Sequence, residues 1–101
     1  MSYDANDEKQ VNKARKQAAF DKALELSVIK GLMQTPAGRR WVHTLLSRCH
    51  VYATPFTPGQ QDVSDFKMGE QNFGLQFLAD IQEGASEEYL VMLKEAKAND
   101  A

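Results

Sequence analysis

The sequence predicts an all-α fold, a small bundle of about four helices with a long protruding N-terminal helix. Apolar residues recur at helical spacing in four segments, and no segment alternates apolar with polar residues as a half-buried strand does. Two of the three Pro residues fall in one short stretch, residues 50–61, which interrupts the helical pattern. The length of 101 residues fits one such domain and is too short for a two-domain enzyme.

The first helix is predicted for residues 7–33. This stretch is rich in Ala, Lys, Gln, Glu and Leu and contains no Pro. Its first half is almost entirely polar, whereas Phe20, Leu24 and Val28 recur at helical spacing in the second half and form a face to bury. A helix that is polar all round finds little to hold it within a domain, so its first turns are predicted to form an arm that is solvated or meets a partner.

The second helix is predicted for residues 36–49. Thr35 has a side chain that can accept from the free amides of the first turn, and Pro36 suits the first helical position because its missing N–H would have no partner there. A continuous apolar stripe follows and is assigned to the core: Trp41, Val42, Leu45, Leu46 and Cys49. Beyond it, residues 50–61 are predicted to form an extended loop that its own apolar residues pin down: Val51, Tyr52 and Phe56.

The third helix is predicted for residues 62–83 from the spacing of its apolar residues. The face assigned to the core comprises Val63, Phe66, Phe73, Phe77 and Ile81. Gly69 and Gly74 each lower the helix propensity, which suggests close packing against a neighbouring helix at these points, or a bend at Gly69.

The last helix is predicted to begin at Ser86, after Gly84 ends the third helix. Its buried face comprises Tyr89, Leu90, Leu93 and Ala96. The final residues lose this spacing and are expected to fray. The chain then divides into a polar helical arm, a helical domain and a disordered tail: residues 1–22, 23–98 and 99–101.

Several classes of protein are excluded by composition. No stretch approaches 18 uninterrupted apolar residues, so no membrane span is expected, and the first ten residues lack the apolar run of a signal peptide. The net charge of −2 conceals an asymmetry, because residues 1–50 carry +4 and residues 51–101 carry −6. An acidic half argues against binding of nucleic acid, sequence-specific or general. The opposed charges suit either ion pairs within one chain or head-to-tail contacts between copies.

No residue set indicates an enzyme, a cofactor or a metal centre. His43, Cys49 and His50 are the only His and Cys residues, and their spacing matches no zinc motif. Cys49 and His50 cannot pair as nucleophile and base, because neighbours on a helix point about 100° apart. We therefore expect no catalytic, cofactor-binding or metal-binding residue.

Arg39 and Arg40 lie in the first turn of the second helix, where the helix dipole disfavours cations. A carboxylate should offset this cost, and Glu70 is the expected partner of the pair through a bidentate ion pair. The alternative is that one arginine faces a neighbouring subunit or a phosphate.

Residues 35–96 resemble a family of small proteins encoded in the structural-gene modules of tailed bacteriophages, whose type example comes from a Bordetella phage. The resemblance rests on the segments TPAGRRWVHTLLSRCHVY, PFTP, EQNFGLQFLADI and YLVMLKEA. Its most characteristic positions are Gly38, Arg39, Arg40, Trp41, Leu45, Leu46, Phe56, Glu70, Asn72 and Gly74. The family is described only as a phage protein, so the resemblance implies a place in the virion or its assembly and no particular activity.

Together these observations lead to the hypothesis of a non-enzymatic virion protein of a short-tailed phage, made in the host cytoplasm and present in many copies. It would sit at the portal and head–tail junction or among the internal proteins ejected with the DNA. It would dock onto portal, tail or internal proteins, and onto further copies of itself, burying Phe20, Leu24 and Val28. The alternative is an accessory protein outside the particle that binds host or packaging proteins.

Overall fold

The computed structural model describes residues 5–99, which form four helices. They are α1 (Ala5–Leu32), α2 (Pro36–Arg48), α3 (Gln61–Gly84) and α4 (Ser86–Asn99). The described residues contain no strand, so the predicted all-α class is confirmed. Residues 1–4 of the predicted arm and residues 100–101 of the predicted tail lie outside the described range, and Asn99 is the last residue of α4.

The turn between α1 and α2 is fixed by side-chain capping. The Thr35 hydroxyl accepts a hydrogen bond from the Gly38 backbone N–H at 3.0 Å, and Pro36 is the first helical residue, as the sequence predicted. Gly38 has no room for a side chain, because a Cβ would run into the Leu32 carbonyl oxygen. The connection between α1 and α2 therefore takes only three residues, 33–35.

The end of α2 follows the hydrogen-bond pattern of a Schellman motif. The Val51 N–H donates to the Leu46 carbonyl at 3.2 Å, and the His50 N–H donates to the Ser47 carbonyl at 3.1 Å. His50 has a φ of 61°, the left-handed conformation that this motif requires and that glycine usually provides. His50 thus ends the helix through its backbone, a role that the sequence did not indicate.

The helices pack mainly in two pairs, α1 on α3 and α2 on α4, while α3 also contacts α2 and α4. The core at their meeting point is small and comprises Ile29, Met33, Val42, Leu46, Ile81, Ala85 and Met92. Met33 and Met92 are fully buried, although Met92 was absent from the predicted face of α4. An unbranched, flexible methionine fills the irregular space where helices cross, and helical spacing alone does not reveal this.

Several residues assigned to the core are exposed. Trp41 is 55% exposed, because it precedes the buried Val42 by one position and so points about 100° away from it. The other exposed large residues from the predicted core are Val63, Phe66, Phe73 and Leu90. These core assignments were wrong because spacing identifies an apolar face without showing whether another helix covers it. In the loop, the predicted pinning is confirmed for Tyr52, whose ring stacks on His43, and is wrong for Phe56, which is 62% exposed.

The two glycines of α3 differ in their surroundings. A Cβ on Gly74 would lie 2.6 Å from both Cys49 Cβ and Val51 Cγ2, so the predicted close packing is confirmed there. A Cβ on Gly69 would meet no atom within 4 Å, so close packing does not explain that residue.

The molecule is thin and extended. Its principal extents are 63 × 40 × 15 Å, and its Cα radius of gyration is 18.9 Å. A compact chain of this length has a radius of gyration of about 13 Å. All residues from Ala5 to Asp21 are exposed, so the first half of α1 protrudes from the body, as predicted.

Candidate functional site

The candidate site is an exposed apolar stripe on α1. Phe20, Leu24 and Val28 are 64%, 54% and 62% exposed, respectively. Their spacing of four residues places them on one face of the helix, while Ile29 lies on another face and is buried in the core. The stripe is therefore available to a partner, as the sequence hypothesis required, because the described part of the chain leaves it exposed.

A second helix extends this apolar surface. Phe73 on α3 is 63% exposed, and Phe77, one turn further along, is half-buried. Between α1 and α3 lies an open groove of about 500 Å³. This α1/α3 groove is lined by Leu24, Glu25, Val28, Ile29, Phe73, Gln76, Phe77 and Asp80. Its floor is mainly apolar, and carboxylates stand at its edge, so it suits a segment whose side chains combine apolar groups with positive charge, as the stems of Lys and Arg do.

Sequence reasoning missed the α3 side of this groove. The spacing of Phe66, Phe73 and Phe77 was correctly identified as one helix face, but that face was assigned to the core. The number of large apolar residues assigned to the core was the available signal. About four helices of this length cannot enclose so many of them in one small domain.

Ion pairs join α1 to the elements beside it. Lys22 Nζ lies 2.8 Å from Asp80 Oδ1 and 3.5 Å from Glu83 Oε2. The hydrogen bond with Asp80 raises the pKa of Lys22 above its ordinary value. Further along α1, Lys30 Nζ lies 2.5 Å from Glu88 Oε1 on α4. The contacts of Lys22 therefore join the two walls of the groove, α1 and α3, whereas that of Lys30 joins α1 to α4.

Arg39 does not pair with Glu70, contrary to the prediction. Arg39 Nε donates to Glu95 Oε1 at 2.6 Å, and its Nη1 donates to the Met33 carbonyl at 3.0 Å. The reason is that the start of α2 packs against the second half of α4 and the C-terminal end of α1, where a cation is favourable. Glu70 instead contacts His50, with 3.2 Å between its Oε1 and the His50 Nε2.

The remaining predicted site residues are scattered over the surface. Arg40 is exposed and makes no ion pair with any residue in the described range, and Trp41 and Asn72 are exposed as well. Arg39, Arg40 and Glu95 border a second groove, between α2 and α4, of about 520 Å³. The structure therefore does not bring Arg39, Glu70 and Asn72 together into one site.

Tyr52 and Gln71 attach the long loop to the helices. The rings of His43 and Tyr52 stack with 5.3 Å between their centroids, and the hydroxyls of Tyr52 and Tyr89 lie 3.3 Å apart. Burial and the neighbouring Tyr89 raise the pKa of Tyr52. Gln71 Nε2 donates to the carbonyls of His50 and Ala53 at 2.7 and 3.1 Å. These contacts are structural.

The opposed charges of the two halves meet within one chain. Every ion pair among residues 5–99 joins a cation from the first half to a carboxylate from the second: Lys22 to Asp80 and Glu83, Lys30 to Glu88, Arg39 to Glu95, and His50 to Glu70 when the imidazole is protonated. The interpretation as internal complementarity is thus confirmed for the body of the molecule.

Metal-binding clusters and membrane-spanning helices are both absent from residues 5–99. This range contains no group of three or more His, Cys, Asp or Glu side chains placed to hold a metal ion. In the same range, no helix has the length and apolar character needed to cross a membrane. Comparisons with known protein families, curated proteins and solved structures find no match to this chain.

Proposed function

We propose that the chain is a non-enzymatic structural or assembly protein of a short-tailed bacteriophage. It belongs to the particle, at the portal and head–tail region or among the internal proteins ejected with the DNA. It acts by docking onto other proteins. The observation that carries the proposal is the exposed apolar stripe of Phe20, Leu24 and Val28, which continues across the groove to Phe73.

Such a surface favours a binding role on energetic grounds. Monomeric proteins rarely leave a contiguous set of large apolar side chains in water, and such patches mark interaction sites. Complete burial of one such side chain contributes about 1.5 to 3 kcal/mol. Three or four half-exposed anchors thus provide enough free energy to hold a small protein in an assembly.

The phage context rests on the resemblance of residues 35–96. Among its characteristic positions, Gly38 and Gly74 each have no room for a side chain, and Arg39 connects α2 to both α1 and α4. These positions maintain the fold that presents the stripe, which is itself outside the resemblance. In this proposal residues 35–96 supply a scaffold similar to that of the phage proteins, and α1 with Phe20, Leu24 and Val28 lies outside the resemblance.

The test is the protein composition of purified particles of the phage that encodes the chain, measured by mass spectrometry. We expect to find the wild-type chain in the particle. We expect much less of the double variant Leu24→Glu with Val28→Glu in the particle. Leu90→Glu is the matched control, because Leu90 is equally exposed but lies on α4, outside the groove. Particles free of the wild-type chain, together with its recovery on host or packaging proteins, would instead support an accessory role outside the virion.

A further inference from the structure

We propose that a second copy of this chain covers the α1/α3 groove, in a two-fold symmetric dimer. The two α1 helices lie antiparallel, and the arm of each copy crosses the groove of the other. This inference deepens the docking element of the proposed function, but it concerns the purified chain and needs no phage context.

The surface area of one copy favours such a dimer. A folded monomer of 11.3 kDa exposes about 5,700 Å² by the usual scaling of area with mass. This chain exposes 7605 Å². The excess of about 1,900 Å² per copy lies within the range of about 1,000 to 2,500 Å² that each partner buries in an obligate dimer.

Charge identifies the segment that fills the groove. The arm contains Lys9, Lys13, Arg15 and Lys16 and has no carboxylate between Glu8 and Asp21. The ion pairs among residues 5–99 use Lys22, Lys30 and Arg39 but none of these four cations. The groove edge carries Asp80, which Lys22 already holds, and Glu25, which has no ion-pair partner in the described part of the chain. The basic arm of a second copy complements the negative charge of this edge.

The length of α1 sets the register. Its 28 residues span about 42 Å, and the fully exposed segment of the arm accounts for about 25 Å of this. When two α1 helices pair antiparallel about their midpoints, residues 9–16 of one copy lie opposite residues 21–28 of the other. The basic segment then faces Leu24, Glu25 and Val28, and Phe20 lies near the two-fold axis. Both grooves are filled by the same contact, so the assembly closes at two copies.

The first test is sedimentation velocity of the purified full-length chain over a dilution series. We expect a species of twice the 11.3 kDa chain mass. A monomer at every concentration, or an open series of larger species, would overturn the proposal. Absence of the chain from phage particles would not, so this proposal and the proposed function fail separately.

The second test substitutes the groove. Leu24→Glu with Phe73→Glu changes only side chains that are exposed in a single copy, so the helical circular dichroism should be retained. We expect the dimer dissociation constant to rise by about ten-fold or more, since two apolar anchors are replaced by charges. Leu90→Glu is the control and should leave it unchanged. Equal effects of the two variants, or no effect of the groove variant, would contradict the proposal.

The third test is a charge exchange between arm and groove. The first variant combines Lys9→Glu, Lys13→Glu and Lys16→Glu, so in its dimer an acidic arm lies on an acidic groove edge. The second variant is Glu25→Lys, and in its dimer a basic arm lies on a basic groove edge. Each variant alone should dimerise several-fold more weakly. An equimolar mixture should restore association, because each arm then faces an edge of opposite charge in both grooves. A mixture that associates no better than either variant alone would rule out the reciprocal arrangement.

Discussion

Gly74 shows how a single position can determine the packing of two helices. Its Cα lies so close to the end of α2 that an added methyl group would meet Cys49 and Val51. We expect Gly74→Ala to lower the free energy of unfolding by about 1 to 3 kcal/mol, the usual cost of overpacking. Gly69→Ala is the matched control, since open space surrounds it, and it should raise stability by up to about 1 kcal/mol through helix propensity. Urea unfolding followed by circular dichroism measures both.

Arg39 and Arg40 are neighbours in sequence with different roles. Arg39 has a side chain only 13% exposed and connects Glu95 with the Met33 carbonyl, whereas Arg40 is exposed. We expect Arg39→Ala to cost about 1 to 3 kcal/mol of unfolding free energy, because it removes the ion pair with Glu95 and the donor to the carbonyl of the buried Met33. Arg40→Ala should stay within about 0.5 kcal/mol of wild type. Equal losses in thermal unfolding would show that the charge, and not its contacts, matters.

At the scale of elements, the helices were predictable but their covered faces were not. Thr35 and Pro36 mark the start of α2 by local chemistry, which sequence displays directly. Whether Phe73 is buried depends instead on which helix lies beside α3, a non-local fact. The same limit applies to the ion pairs. The opposed charges of the two halves predicted that the halves attract each other, but they did not show that Arg39 pairs with Glu95 and not with Glu70.

The contact between α1 and α4 predicts a pH dependence. The hydrogen bond from Lys30, with a second from Gln34 at 3.2 Å, lowers the pKa of Glu88 below its ordinary value of 4.5. A carboxyl group whose pKa is lower in the folded state stabilises the fold above its unfolded pKa and loses that effect as the pH falls through the folded pKa. As the pH falls through this range, we expect the unfolding free energy of Glu88→Gln to decrease less than that of the wild type.

The control for this pH dependence is Glu87→Gln. Glu87 is exposed and makes no ion pair within the described residues, so its variant should keep the wild-type profile. Urea unfolding over a series of acidic pH values compares the two. If unfolding free energy depends on pH in the same way in both variants, the Lys30 contact does not determine the loss of stability at acidic pH.

At the scale of the whole molecule, the extended shape predicts that stability depends on concentration. A chain with a small core gains free energy when a second copy covers its groove, and mass action then makes the melting temperature rise with protein concentration. We expect this rise for the wild type and for Leu90→Glu, and a lower melting temperature at each concentration for Leu24→Glu with Phe73→Glu, whose dimer is weaker. Calorimetry at several concentrations distinguishes the two behaviours.

The pairing of α1 with α3 and α2 with α4 has one more consequence. Each helix finds its main partner across the long connection between α2 and α3, so neither half of the chain has a core of its own. A nick between Pro58 and Gly59, both exposed, would leave two fragments that fold only on each other. The two halves are in this sense two peptides that share one fold and are joined by the connection between α2 and α3. The two fragments should therefore restore the fold when they are mixed.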